Sequence, residues 1–418
     1  MTKKPKALFI MYDGLTDPLG QSQVLPYLKE LSKNYRFDVI GFEKKEIFNS
    51  QEKIIKRKIG DSDINWIPIS YTKKPPIFST IYDFIKAWKR ANNESKNETY
   101  NLIHCRSSAI GPVALALKVK YKSKLIFDMR GWWPDEKKES GSWKSMVYFP
   151  IYKYFKKIEK RLFSESDYAI SLTNAGLDEI IKRNLKNKDR VKIIPTCVDF
   201  DSFLPFKEQT RRDSRKELQL EESDLVLLYS GSLGGNYSME IIFGFYRSFK
   251  KIFNHTKILF LSQTDTNFIK EEVSSANIPL EDIRIRSCSY DEVSKFLMAG
   301  DYGLINYSKT YSTIGRSPTK LGEYWACGLP VLSQSNIGDI DFLLKKYPNS
   351  GFLIDILEEN RFNLAVKEVT NMSFCKTKLR EYSLDYYDLK KGVESYKSVY
   401  SVLQNNNLCA FKSQSIGF

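Results

Sequence analysis

Lys6-Ala-Leu-Phe-Ile-Met-Tyr12 is a short apolar run that ends among Gly14, Pro18 and Gly20, and the residues behind it, Gln21 to Lys33, read as a helix. The same order returns in the second half: Leu225-Val-Leu-Leu-Tyr229 runs into Gly231-Ser-Leu-Gly-Gly235, with a helix expected from about Met239. Between these openings lie further short apolar runs at Phe37–Phe42, Ile64–Ile69, Leu102–Cys105, Leu125–Asp128, Tyr168–Leu172 and Val191–Ile194. They alternate with helical patterns at Ile81–Ala91, Val113–Tyr121, Tyr148–Leu162 and Gly176–Arg183. Apolar runs alternating with helices imply a parallel sheet covered by helices, hence an α/β fold. The pattern breaks at Pro195–Pro205, a charged stretch from Lys207 to Glu222 follows, and a domain boundary is expected at 203/204. The second half continues with expected strands at Lys257–Leu261, Ile283–Arg286, Tyr302–Asn306, Pro330–Ser333 and Gly351–Ile354.

Composition agrees with a folded, two-domain chain. The 418 residues suit two to three domains at roughly 150 residues each, and 42% hydrophobic content excludes wholesale disorder. No stretch reaches the roughly 18 apolar residues of a membrane span, and the apolar run after the charged start is too short for a signal peptide. The six cysteines form no CxxC pair, which reads as reduced thiols in the cytoplasm. Charge is unevenly placed. Residues 1–200 hold 38 Lys and Arg against 23 Asp and Glu, whereas the remainder holds 27 of each, so the whole net charge of +15 lies in the first half. A basic half joined to a neutral one points to an anionic partner for the first domain, either a membrane surface, a phosphorylated acceptor or nucleic acid, or simply to solvated lysine-rich faces. Nucleic acid is not expected, because no recognition module appears.

Ser317-Pro-Thr-Lys-Leu-Gly-Glu-Tyr-Trp-Ala-Cys-Gly-Leu-Pro330 carries the clearest chemistry. Ser317 suits an N-cap, Pro318 a first helical residue, and Gly328 a stop, so a helix is expected between them. Its free amides favour an anion, and Lys320 adds positive charge in a first turn, where the dipole alone prefers negative charge. Glu323 can accept two ribose hydroxyls; alternatively this is a capped helix packed on a sheet. The glycine loop Gly231-Ser-Leu-Gly-Gly-Asn236 is either a phosphate approach or a tight turn. The loop Gly14–Ser22 is equally open, at the sheet edge where ligands of open α/β sheets bind. Asp61-Ser-Asp63 and Asp339-Ile-Asp341 are read as loop acids, with no metal expected. Lys144–Phe163 interleaves aromatics with Lys156, Lys157 and Lys160, as a membrane-surface segment or as a helix with an aromatic core face and a solvated basic face.

Five segments in order resemble bacterial family-4 glycosyltransferases of the GT-B fold: Asp17–Tyr27, Phe127–Glu136, Ile194–Asp199, Tyr229–Gly234 and Ser317–Val331. The resemblance spans about residues 7 to 400. It implies two Rossmann-like domains facing a central cleft: an acceptor-binding domain over 1–203, and a nucleotide-sugar domain over 204–385. It also implies a C-terminal helix of about 386–403 returning to the first domain, ahead of a tail at 404–418. By the same resemblance Glu323 matches the ribose-binding glutamate of an E-x7-E motif, Ser317, Pro318, Thr319 and Lys320 the diphosphate-binding helix start, and Gly231, Ser232, Leu233 and Gly234 the donor loop. Gly20, Gln21, Ser22 and His104 are the acceptor-side candidates, and Asp128, Arg130 and Arg316 the catalytic ones. Asp128 and Arg130 can equally be a buried pair bracing their loop. The first glutamate of the motif is replaced by Gly315, and its N-domain histidine has no clear counterpart. The implied activity is a retaining, metal-independent hexosyl transfer from a nucleotide-diphosphate sugar to a glycan hydroxyl, without a further cofactor, in O-antigen, capsule or exopolysaccharide synthesis. The acceptor is expected to be lipid-linked at the inner face of the membrane, with the protein cytoplasmic or peripheral there. An inactive GT-B binding partner and a nucleotide-sugar epimerase are the alternatives.

Overall fold

The computed structural model describes residues 4–235 and 237–414, with side chains to Gln404. The chain divides into two compact units, residues 1–195 with 389–418, and residues 196–388.

The first unit holds a seven-stranded parallel sheet: β1 (Lys6–Met11), β2 (Arg36–Glu43), β3 (Ile64–Ser70), β4 (Leu102–Arg106), β5 (Lys124–Asp128), β6 (Tyr168–Ser171) and β7 (Val191–Ile193). Their spatial order is β3-β2-β1-β4-β5-β6-β7, so the order reverses between β1 and β4. The second unit holds β8 (Leu225–Ser230), β9 (Thr256–Leu261), β10 (Ile283–Arg286), β11 (Tyr302–Ile305), β12 (Val331–Gln334) and β13 (Gly351–Ile354). Its order is β10-β9-β8-β11-β12-β13, with the reversal between β8 and β11. Every expected strand lies within one or two residues of an observed one. In open parallel sheets such reversals leave a crevice at the C-terminal strand ends, which is where ligands bind.

Both faces of the second sheet are buried. Val226 and Leu228 of β8 point into a layer with Leu321, Tyr324, Trp325 and Leu379. Leu227 and Tyr229 point into the other, with Ile241, Phe245, Phe260 and Val366. The helix Thr319–Ala326 is clamped on the first of these layers. Trp325 Nε1 donates to Ser350 O at 2.9 Å, the Tyr324 hydroxyl donates to Leu304 O at 3.3 Å, and it accepts from Ser230 N at 2.9 Å. One phenol thus ties the ends of β8 and β11 together at the reversal. It fits because position 303 is glycine: a Cβ there would lie 2.4 Å from the Tyr324 ring. The helix stops in a Schellman turn. Gly328, at φ 74°, donates to Trp325 O at 3.0 Å, and Leu329 to Tyr324 O at 2.8 Å.

Several expectations need correction. The boundary falls at Pro195/Thr196 instead of 203/204, because Val198 and Phe203 are core residues of the second unit. The charged stretch 207–222 is part of the second unit's fold: residues Glu208–Glu217 are helical, and the fully buried Arg215 donates to Ala299 O, Glu221 O, Glu222 O, Asp224 O and Asp301. The expected helix 386–403 is divided at Asp388. Lys376–Tyr387 is a helix of the second unit, and Leu389–Gln414 belongs to the first. Of the expected tail, residues to Gln414 continue this helix, while side chains from 405 and residues 415–418 lie outside the described part. The single helix expected over Gln21–Lys33 is two, Pro18–Gln23 and Leu25–Leu31, parted at Val24 ahead of Pro26.

The replacement Gly303→Ala should destabilise the second unit by about 1–3 kcal/mol, read from its denaturation midpoint. An unchanged midpoint would show that Tyr324 can move without loss.

Candidate functional site

In the second unit three segments converge at the strand reversal: the loop after β8, the start of β11's following loop, and the helix Thr319–Ala326. The first five residues of the β8 loop include Gly231 at φ 125°, Gly234 at φ 90° and Gly235 at φ 65°, backbone that only glycine adopts freely. Gly231 N donates to Leu261 O and Leu233 N to Thr264 Oγ1, each at about 3 Å, and the Tyr229 hydroxyl donates to Ser232 O at 2.6 Å. A Cβ on Gly234 or Gly235 would meet nothing within 4 Å, so this part of the loop borders open space.

Lys320 is the focus. Its side chain is only 5% exposed, and Nζ has no hydrogen-bond partner among the described residues. The ammonium instead lies 4.1 Å from the Tyr229 ring centroid, 4.8 Å from that of Tyr237 and 5.7 Å from that of Tyr307. A Cβ on Gly231 would be 3.4 Å from it. Burial lowers its pKa from 10.5 to about 7, with the Glu323 charge pulling the other way. Glu323 sits one turn on, partly exposed, and burial in turn raises its carboxyl to about 7 against the pull of Lys320. Beside them the Arg316 guanidinium stacks over Tyr307 at 5.0 Å. The first amides of the helix have no carbonyl one turn back. A buried ammonium, helix amides and an open glycine loop meeting at one point form an anion site with a carboxylate at its rim.

The helix does not start as expected. Pro318 occupies the cap position and Thr319 is the first helical residue. Ser317 is engaged elsewhere: its Oγ accepts from Thr196 N at 3.2 Å, and its carbonyl accepts from Thr196 Oγ1 at 2.7 Å. Gly315, at the motif's first-glutamate position, is buried in a 3-10 turn over Tyr311–Gly315. The three tyrosines and Thr196 were missed by sequence reading, because only the fold brings them to Lys320 and Ser317. Tyr229 at the end of an apolar strand, just before the glycines, was the one visible signal.

In the first unit the sequence candidates separate into two groups. The loop after β1 is wound around carboxylates of the chain itself: Glu43 accepts from Leu15 N at 2.8 Å and Thr16 N at 3.2 Å, and Asp17 from Gly14 N at 3.2 Å. Gly20 is required by contact, since a Cβ there would meet Gly14 O at 2.1 Å. Gln21 donates to Thr16 O, and Ser22 back-bonds to Pro18 O, both within the same loop. The amides of Gly14, Leu15 and Thr16 are therefore taken up by carboxylates, whereas those of Gly231 and Leu233 in the loop after β8 go to a carbonyl and a hydroxyl.

The second group is a buried ion cluster at the ends of β4 and β5. Asp128 is fully buried and accepts from the Tyr396 hydroxyl at 3.0 Å, with His104 Nε2 at 3.4 Å, Arg106 Nη1 at 3.6 Å and Arg130 Nη1 at 3.8 Å. Burial alone would raise its pKa, yet Arg130, the His104 hydrogen bond and Arg106 outweigh it and hold the carboxyl at about 2. His104 does not follow a strand: it lies within β4, buried, with Nδ1 2.8 Å from the Tyr400 hydroxyl, and burial lowers its pKa. Arg130 sits at φ 55°, a strained backbone for a non-glycine residue. This is the bracing arrangement, and it enlists Arg106, Tyr396 and Tyr400. The acids of the two DxD strings bond within the chain: Asp63 pairs with Lys4, Asp339 accepts from Tyr386 at 2.7 Å, and Asp341 from Asn336 N at 2.7 Å. Lys156, expected on a membrane face, is turned inward to Asp135, Glu159 and the Trp132 ring.

Two Rossmann-like units, one with an anion site at its strand reversal, define the GT-B architecture. Residues 23–202, which include most of the first unit, match the family model described as Glycosyltransferase Family 4. No curated protein matches the chain. Solved structures with the same fold include sucrose-phosphate synthase from Thermosynechococcus elongatus, at 14% identity and TM-score 0.73 over 96% of this chain and 100% of that one. HepE from Anabaena in complex with UDP and glucose is 13% identical, with a TM-score of 0.68 over 95% and 99%. WaaG, a glycosyltransferase involved in lipopolysaccharide biosynthesis, is 14% identical, with a TM-score of 0.68 over 94% and 98%. The family match and the fold together make the protein a glycosyltransferase of the GT-B type.

Because burial lowers Lys320, the unfolded chain binds more protons than the folded one between about pH 7 and 10.5, and stability rises across that window. Glu323, raised, makes the folded chain bind more protons between 4.5 and about 7, and stability falls there. The ligand-free second unit should thus pass through a shallow stability minimum near neutral pH. Lys320→Met should raise stability at pH 7 by about 1–2 kcal/mol and reduce the rise above it to the part that Lys376, lowered by burial to about 8, contributes, as thermal unfolding at a series of pH values would record. A variant that melts lower at pH 7 would mean that the ammonium stabilises the free protein.

Proposed function

We propose that the protein transfers a sugar from a nucleotide-diphosphate sugar to a hydroxyl of a glycan, and that the buried Lys320 ammonium, without a hydrogen-bond partner among the described residues, is the group that receives the donor's diphosphate. The donor's negative charge restores the charged form of Lys320 that burial disfavours, and the amides of Thr319 and Lys320 and the glycine loop supply hydrogen bonds around it. Glu323, whose carboxylate makes no hydrogen bond among the described residues, is the acceptor for the two ribose hydroxyls. As the glycosidic bond to phosphate breaks, charge builds on the leaving diphosphate, and Lys320, Arg316 and the helix amides stabilise it more in the transition state than in the ground state. The anomeric carbon becomes oxocarbenium-like. In this reading the leaving phosphate takes the acceptor's proton, the configuration is retained, and no metal is needed because a protein cation already faces the phosphates. HepE has been solved with UDP and with UDP-glucose bound, which supports a uridine diphosphate sugar as the first donor to test.

The proposed acceptor is a lipid-linked glycan of a cell-surface polysaccharide, met at the cytoplasmic face of the membrane. The basic first unit supports this, as does the role of WaaG in lipopolysaccharide biosynthesis. Gly20, Gln21 and Ser22 are proposed to shape the acceptor side, and Asp128, Arg130 and His104 to hold its floor. Gly315 favours a second reading, a GT-B protein that binds donor without turnover.

The test is a thermal-shift panel of UDP, GDP, ADP, CMP and TDP with and without magnesium. One nucleoside diphosphate should raise the midpoint independently of magnesium. The shift should be abolished in Lys320→Met and reduced in Glu323→Gln, with binding weakened roughly tenfold or more in the latter. Equal shifts in wild type and both variants would remove these residues from the donor site. Binding without any hydrolysis or transfer from the matching sugar nucleotide would select the second reading.

A further inference from the structure

The helix Phe78–Glu94 of the first unit is oriented against the usual rule. Its buried side carries Ser79, Asp83, Ala87 and Ala91, while the outward side carries Phe78, Ile81, Tyr82, Ile85 and Trp88, which are 71%, 51%, 56%, 46% and 40% exposed. Surface helices normally turn their large apolar residues inward. A contiguous exposed stripe of this kind marks an interaction surface.

Its chemistry identifies the partner. Lys86 Nζ lies 4.8 Å from the Tyr82 ring centroid, and Lys120 of the helix Gly111–Tyr121 lies 4.9 Å from that of Trp88. Lys73 and Lys74 precede the stripe, and Lys89 and Arg90 follow it. The acids of this helix are withdrawn: Asp83 is fully buried, bonded by Thr72, Tyr12 and Lys86, and Glu94 pairs with Arg90. The helix Phe149–Glu165, which also packs on Gly111–Tyr121, continues the pattern with exposed Met146, Val147 and Phe149 at its start and Lys153 5.3 Å from the Phe149 ring. Aromatic and aliphatic side chains ringed by lysines, without exposed acids among them, match the boundary of a bilayer that carries anionic headgroups. A protein partner of ordinary composition would meet this surface with pairing acids, and nothing in the surface itself is complementary to a second copy of it.

We infer that this face docks the first unit onto a bilayer of anionic lipids, with Phe78, Ile81, Tyr82, Ile85 and Trp88 in the headgroup boundary. The attachment is firm on the protein side. Thr72 N and Oγ1 and the Tyr12 hydroxyl all donate to Asp83, so the docking helix is fixed to the end of β1, where the proposed acceptor loop begins. Ile77 directly precedes the stripe at φ 72°, a strained conformation for a β-branched residue, and it sets the angle at which Phe78 leaves the loop. The consequence, that a lipid-linked acceptor reaches this loop from the bilayer, rests on the proposed function; the docking itself does not.

The experiment is flotation of the full-length protein with vesicles of phosphatidylglycerol and phosphatidylcholine, against phosphatidylcholine alone. It compares wild type with the combined replacement Phe78→Ser, Ile81→Ser and Ile85→Ser, whose side chains face solvent. Wild type should float with the anionic vesicles only, less so at high salt, and the variant should bind at least about tenfold more weakly. An unaltered thermal midpoint and UDP shift in the variant would exclude misfolding. Equal flotation of both proteins, flotation independent of anionic lipid, or a wild-type dimer that the variant loses would each overturn the inference. Lost flotation in the variant without sugar transfer by either protein would uphold docking and reject the transferase reading.

Discussion

A lysine ammonium held away from water, among three tyrosine rings and without a hydrogen-bond acceptor among the described residues, is the constraint around which the second unit is built. Such a group is costly to bury, and nothing in packing alone calls for it; a methionine would fill the same space. Its cost is tolerated because the surrounding frame is over-determined. Tyr324 joins two strand ends, Trp325 anchors to Ser350, Thr196 clamps Ser317, and the Schellman turn fixes the far end of the helix. These contacts hold the helix start where its open amides and Lys320 face the same point as the glycine loop. The tyrosine faces lower the electrostatic penalty, without supplying the directed acceptors that an anion would bring.

The two glycine loops show how one local pattern leads to opposite outcomes. Each follows a central strand and precedes a helix. After β1, Glu43 and Asp17 accept the loop amides and freeze the loop as a scaffold. After β8 no carboxylate enters, and the loop opens towards a cation. Carboxylates of the chain itself fill one loop, while among the described residues none bonds the other, which on the proposed function takes an anion from outside. The first unit balances its own charges at the strand ends in the same way, through Asp128, which gathers Arg106, Arg130, His104 and Tyr396. Tyr396 and Tyr400 come from the C-terminal helix, so the cluster also fixes that helix to the sheet.

The fold was legible because short apolar runs between helical patterns have few alternatives, and all thirteen strands could be placed from them. What remained hidden depended on contacts distant in sequence. The helix Glu208–Glu217 looks like a solvated linker, since its single buried cation, Arg215, is identified only by carbonyls that the fold assembles around it. Ser317 has the composition of a cap, but Thr196 claims its oxygen first. In the helix Thr319–Ala326 Lys320 and Glu323 were visible as an odd charge in a first turn and an acid one turn later. The aromatic enclosure that gives the lysine its meaning was not, because Tyr237 and Tyr307 carry no local signal. The outward stripe of Phe78–Glu94 was read simply as a helix; its period is the same whether the apolar side faces core or solvent, and only the burial of Ala87 and Ala91 settles the direction.

The glycine at position 315 bears on how such a site can work. A carboxylate there would stand close in sequence to Arg316 and Lys320 and would oppose the gathering of negative phosphates. With glycine in its place the second unit presents Lys320 and Arg316 beside Glu323, so the local potential is more positive, which on the proposed function favours the diphosphate. On the proposed function the cost would fall on the transferred sugar, which the motif's first glutamate would contact and which would lose an acceptor in the ground state and in the transition state alike. Interactions made equally in both states change affinity far more than rate. A chain with this substitution can therefore keep the stabilisation of the leaving group, which Lys320 and the helix amides supply, while losing grip on the sugar and with it much of its discrimination between sugars.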